Sequence, residues 1–169
     1  MKAIVAVFVS FLMTSFAHAA PAKVTGKVSW IAASSAGIVK IKGDGGIVVG
    51  TIDVGDDGKA RGVLTVNTAN FRTGNDLRDE HMHTKYLGTG LATLKLDPVK
   101  PSKDDFAWSG QLTIKDDTRP VRGKATLKGD DLWAEFDVSI TDFPSIGVPE
   151  WQGVSVTKNV TITVKAKRS

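Results

Sequence analysis

From Ala60 to the C-terminus, apolar residues recur at every second position through most of the chain, and this alternation constrains the fold more than any other feature. A period of two places successive side chains on opposite faces of an extended strand, so such a stretch has one apolar and one solvated face. Leu64 and Val66 share a face, with Thr65 and Asn67 opposite; Ala92, Leu94 and Leu96 oppose Thr93, Lys95 and Asp97. Phe106, Trp108, Leu112 and Ile114 then alternate with Ser109, Gln111, Thr113 and Lys115. Val121, Ala125 and Leu127 follow, then Leu132, Ala134, Phe136, Val138 and Ile140, and finally Val160, Ile162 and Val164.

An antiparallel sheet with one apolar face must cover it. No long amphipathic helix is present in the sequence to do so, which leaves a sheet closed on itself as a barrel or paired as a sandwich. Turn signals at Asp56-Asp57-Gly58, Asp116-Asp117 and Gly129-Asp130-Asp131 fit a meander. With the less regular segments "KVSWIA", "GIVKIKG" and "GIVVGTID" the count reaches about eight strands. A barrel of that size is either filled by side chains or holds one small ligand. Small residues at inward positions (Gly62, Ala92, Gly110, Gly123, Ala125, Ala134) favour a cavity, although glycine in strands also marks bends and bulges.

The stretch "NFRTGNDLRDEHMHTKYL", Asn70 to Leu87, interrupts the alternation. Thr73 to Asp76 offers cap residues, and Asp76 and Asp79 put negative charge in a first turn, which predicts one short helix over about residues 76–85. On a helix His81 and His83 point to roughly opposite sides. Asp79 and His83 could share a face, but two ligands fall short of the three a zinc site needs, so metal binding is disfavoured. No G-x-S-x-G elbow, phosphate-cradling loop or paired-carboxylate site outside turns is present, and an enzyme is the minority reading. Arg78 has two readings. It locks the helix by pairing with neighbouring acids, or it meets an anionic group at a pocket mouth.

Lys2, the apolar run Ala3 to Phe16 and Ala17-His18-Ala19 together have the form of a cleaved secretory signal peptide, residues 1–19, leaving one domain over 20–169. The run is shorter than the roughly 20 apolar residues that span a bilayer, so stable membrane insertion is not expected. The expected address is a bacterial periplasm. The absence of cysteine removes thiol catalysis, Cys-ligated zinc and iron-sulfur chemistry. A net charge of +4 is spread among alternating acids and bases, clustering only at Lys165-Ala166-Lys167-Arg168, with no basic stripe of stacking aromatics; nucleic acid is not an expected partner.

Three segments carry a resemblance. "TANFRTGNDLRDEHMHTKYL", "GQLTIKDDTRPVRGKATL" with a T-x-P-V turn at Thr118, Pro120 and Val121, and "ITDFPSIGVPEWQGVSVTKNVTITVKA" with Asp142-Phe143, Gly147 and Gly153-Val154 resemble, in order, motifs of the YceI-like family of exported bacterial proteins. The similarity covers most of Val63 to Ala166. It implies a lipocalin-like antiparallel barrel whose apolar tunnel holds a polyisoprenoid or other long-chain amphiphile, without catalysis and with no cofactor beyond such a lipid. On this reading Leu64, Val66, Leu94, Leu96, Phe106, Trp108, Leu112, Leu127, Phe136, Val138 and Ile162 line the tunnel. Thr73, Arg78, Asp79, His81 and Tyr86 form a rim or lid, with Arg78 the expected headgroup contact. The alternatives are a filled barrel acting through its outer face, with Trp133 and Trp151 as contacts, and a metal-dependent enzyme using Asp79, His81 and His83. Homodimerisation is left open.

Overall fold

A computed structural model describes residues 20–34, 39–102, 104–151 and 154–169, so the expected leader lies outside the described residues. The strands are β1 (Ala22–Ser34), β2 (Lys40–Val54), β3 (Ala60–Asn67), β4 (Leu91–Val99), β5 (Phe106–Ile114), β6 (Asp117–Lys128), β7 (Asp131–Ser139), β8 (Glu150–Trp151) and β9 (Val154–Arg168), with one α-helix, α1 (Asp76–His81), between β3 and β4. Consecutive strands β1 to β7 pair antiparallel, β9 pairs with β7 on one side and β1 on the other, and the sheet closes. Eight staves form the barrel; β8 only adds a two-residue ribbon to the start of β9. Closure removes the exposed edges that an open sheet of this size would present.

The expected eight-stranded antiparallel barrel is what forms, and the alternation is what buries its core. Val24, Val28, Val48, Leu64, Trp108, Leu112, Val121, Phe136, Val138 and Val164 are buried among one another on the inner face. Of "GIVKIKG" and "GIVVGTID", expected as two strands, Lys40 to Gly43 of the first and all of the second belong to the single strand β2, and Gly37 and Ile38 lie outside the described residues. The glycines between them do not make a turn, because a register shift between Val28 and Trp30 of β1 absorbs them as an irregularity in the ladder.

The T-x-P-V segment, expected as a turn, lies within β6 instead; the chain reverses at Lys115 and Asp116. Pro120 is tolerated there because the first part of β6 is paired with β5, while its ladder with β7 begins only at Gly123. No second neighbour needs the N–H that proline lacks. The helix is also shorter than expected, and Met82–Tyr86 continue it as a π turn closed by Leu87 N–H on Met82 O at 2.8 Å. Thr84 Oγ1 donates to Glu80 O at 2.8 Å, a side-chain bond that competes with the regular helical ladder.

Both the α1 excursion and the β7–β9 connection lie at one end of the barrel, called here the upper end. The β2–β3 and β6–β7 turns and both ends of the described chain lie at the other.

Candidate ligand-binding interior

One row of cross-strand neighbours runs through six staves of the inner wall: Trp108, Gly123, Phe136, Ile162, Trp30 and Gly43. Each tryptophan faces a glycine because a side chain there would collide with it. A Cβ on Gly123 would come 2.3 Å from Glu135 O and 2.9 Å from Trp108 Cζ2, and one on Gly43 would come 2.2 Å from Trp30 Cε2. Trp108 also meets Phe136 edge to face, with centroids 5.1 Å apart, a preferred aromatic geometry. Sequence reading found Trp108, Phe136, Ile162 and Gly123 but missed Trp30 and Gly43. The two-residue phase of Val24 and Val28 would have placed Trp30 inward had β1 been read as one strand.

All eleven residues expected to line a tunnel belong to the inward-facing set. Leu64, Trp108, Leu112, Phe136 and Val138 are buried, whereas Val66, Leu94, Leu96, Phe106, Leu127 and Ile162 are half-buried. The half-buried ones include every inward residue expected on β4. That strand forms its ladder with β5 only between Thr93–Leu96 and Gly110–Thr113. Below Leu96 the ladder ends, and Ser109 Oγ donates to Asp97 Oδ2 at 2.6 Å on the outer face.

The upper end is plugged. Phe143, 1 % exposed, sits just after a one-turn 3-10 helix at Ile140–Asp142. Phe71 lies against Gly46, where a Cβ would come 2.3 Å from its ring. Met82, Leu87 and Ile146 pack on the same core. Polar bonds fix the plug. Asn75 caps α1 by accepting from Arg78 N–H at 3.0 Å. The Asp79 carboxylate, 7 % exposed, accepts from Thr73 N–H at 2.8 Å and Thr73 Oγ1 at 2.6 Å. Lys115 Nζ donates to Tyr86 O at 2.6 Å and to Ser145 O at 2.9 Å, tying the helical segment to the β7–β9 connection.

The residues expected at a rim or lid therefore separate by role. Thr73 and Asp79 bond each other inside the plug, and Tyr86 Oη meets the backbone of Glu150 at 3.4–3.5 Å. His81 Nε2 lies 3.2 Å from Lys85 Nζ. Arg78 is exposed, and among the described residues its guanidinium has no acidic partner within ion-pairing distance. Asp79, His81 and His83 are not brought together. Among the described residues no three His, Cys, Asp or Glu side chains converge as a metal site would require. Trp133 is on the outer wall; the Trp151 side chain lies outside the described residues.

Residues 10–167 match the family model of the YceI-like domain. The chain belongs to the YceI-like family. The match extends beyond the Val63–Ala166 resemblance to take in β1 and β2. Protein YceI of Escherichia coli O17:K52:H18 is 33% identical over 94 residues, which is 47% of this chain and 49% of that protein. A UPF0312 protein of Pectobacterium atrosepticum is 33% identical over 79 residues, 43% of this chain and 41% of that one. The matched stretches thus span half or less of these curated relatives. Among solved structures, BcnA of Burkholderia cenocepacia superposes with a TM-score of 0.67 at 19% identity, covering 83% of this chain and 94% of that one. A polyisoprenoid-binding domain from Saccharophagus degradans, implicated in plant cell wall breakdown, gives 0.64 at 12% identity, covering 88% and 98%. At such identities the likeness is one of fold: a YceI-like barrel.

Proposed function

We infer that this YceI-like protein binds a polyisoprenoid or similar long-chain amphiphile inside the barrel and serves, after export to the periplasm, as its carrier or store rather than as an enzyme. The observation that carries the reading is the inner wall itself. It is apolar along every stave, it is thinned by glycine and alanine, and on β4 its side chains stay half-buried although they face inward. In a barrel filled by its own side chains these positions would be fully buried. Barrel membership in a family with a polyisoprenoid-binding neighbour supports the same ligand class. Because the upper end is plugged by Phe71 and Phe143, the lower end, where the β4–β5 ladder stops at Leu96, is the favoured mouth. This moves the headgroup away from Arg78, the contact expected from sequence.

The test is native mass spectrometry of the protein taken from its own host, followed by organic extraction and lipid analysis. A retained long-chain mass is the expected result. An empty protein that also fails to take up added prenyl chains overturns the reading.

A further inference from the structure

The outer wall carries a feature that ligand binding inside the barrel does not use. Trp133 on β7, Lys165 on β9, Lys27 on β1 and Ile47 on β2 are successive cross-strand partners, all with outward side chains. At about 4.8 Å per strand the row is about 14 Å long. It borders a shallow, open stretch of surface lined by Trp133, Lys27, Lys128, Lys165, Lys167 and a single acid, Asp131. Beside it stand Ile47 at 51 %, Val49 at 46 % and Val63 at 43 % exposure. Isolated exposed aliphatics need no explanation, but three on the adjacent strands β2 and β3, with the outward Trp133 at the other end of the row, leave apolar surface on both sides of Lys27 and Lys165.

Charge says what the patch fits. Of the four lysines only Lys167 has a carboxylate within 4 Å among the described residues, Asp131 at 3.5 Å, and both partners of that pair are largely in water. Lys27 and Lys165 therefore present charge with no carboxylate in ion-pairing contact among the described residues, and Lys128 stands cross-strand from the single acid Asp131, so the surface is positive on balance. An alkyl stem that covers apolar surface while its ammonium stays wet, next to an indole with one polar edge, is the chemistry of a bilayer interface. The surface is a convex barrel wall, which a deformable headgroup layer accommodates without shape complementarity.

We propose that this face, centred on Trp133, Lys165, Lys27 and Ile47, docks the protein on an anionic phospholipid surface. The proposal rests on the carrier reading for its purpose, since a carrier of a water-insoluble chain must meet a bilayer, but its evidence is the outer wall alone.

The experiment uses the protein as it accumulates in its host, purified without detergent. Co-sedimentation is measured with vesicles of phosphatidylcholine alone and with one third phosphatidylglycerol, at low and high salt. Binding is expected only to the anionic vesicles and is expected to weaken with salt. Lys27→Gln with Lys165→Gln should reduce it roughly fivefold for each lysine neutralised. Ile47→Asp should reduce it independently, and the thermal unfolding of each variant shows that the barrel is intact. Brominated acyl chains should quench fluorescence in the wild type, and Trp133→Phe should remove most of that quenching. No sedimentation with anionic vesicles at low salt overturns the proposal, as does unchanged binding in the folded lysine and Ile47 variants. Capture of a periplasmic protein by this face, without vesicle binding, also overturns it. Prenyl uptake, measured separately by native mass spectrometry, distinguishes failure of docking from failure of the carrier reading.

Discussion

Single polar residues decide how the ends of this barrel hold together. Asp79 lies in the first turn of α1, where any acid is favoured by the dipole, but its energetic role comes from burial against Thr73. Asp79→Ala leaves two part-buried donors of Thr73 without their acceptor and should cost about 1–2 kcal/mol in urea unfolding. Asp76→Ala, in the same turn but exposed, should cost only about 0.3–1 kcal/mol. At the opposite end Asp57 accepts from Arg61 Nη2 at 2.7 Å and from Lys59 N–H at 3.0 Å. The Arg61 hydrogen bond, helped by the Lys59 N–H, holds its carboxyl down at about 2, from an ordinary 3.8. A depressed carboxylate stabilises the fold fully above its unfolded value and loses that contribution as pH falls through about 2. Carboxyl NMR should place the Asp57 midpoint near that value, and Arg61→Ala should return it towards 3.8.

Among the elements, the upper plug and the aromatic row set the barrel's shape. Lys115 occupies a two-residue hairpin turn with φ +52°, a conformation such turns require and lysine disfavours. Its two Nζ bonds compensate by joining two connections distant in sequence. Lys115→Asn keeps a residue that tolerates this φ yet breaks both bonds. Hydrogen exchange should then quicken at residues 82–88 and 144–147 while β5 and β6 stay protected. In the aromatic row, Gly43→Ala drives a methyl into the Trp30 ring and should cost about 1–3 kcal/mol with a shifted tryptophan emission. Gly90→Ala, with open space around it, serves as the quiet control. The helix was legible in the sequence through Asn75 and Asp76, but its π continuation was not, because it depends on a threonine side-chain bond and on the packing of Met82 and Leu87.

For the whole molecule, the open question of sequence was whether an eight-stranded barrel is filled or receptive, and Leu94→Trp separates the two. Leu94 lies between Leu64 and Leu112 on the inner wall. If the interior admits a chain, the larger ring should occupy that space, leave the unfolding temperature near wild type and abolish retention of lipid in native mass spectrometry. A filled interior would instead be overpacked and lose about 1–3 kcal/mol. By itself the sequence determined the strand class, the inward set from Leu64 to Val164, the position of helix α1 and the family, because alternation and short motifs are local properties. Tertiary structure decided that Lys40 to Val54 runs as one strand, that Pro120 lies in β6, and that Asp79 bonds Thr73. It also decided which end is plugged and which lysines gather around Trp133. Those outcomes depend on register and on contacts between residues far apart in the chain, and they exist only once β9 has closed on β1.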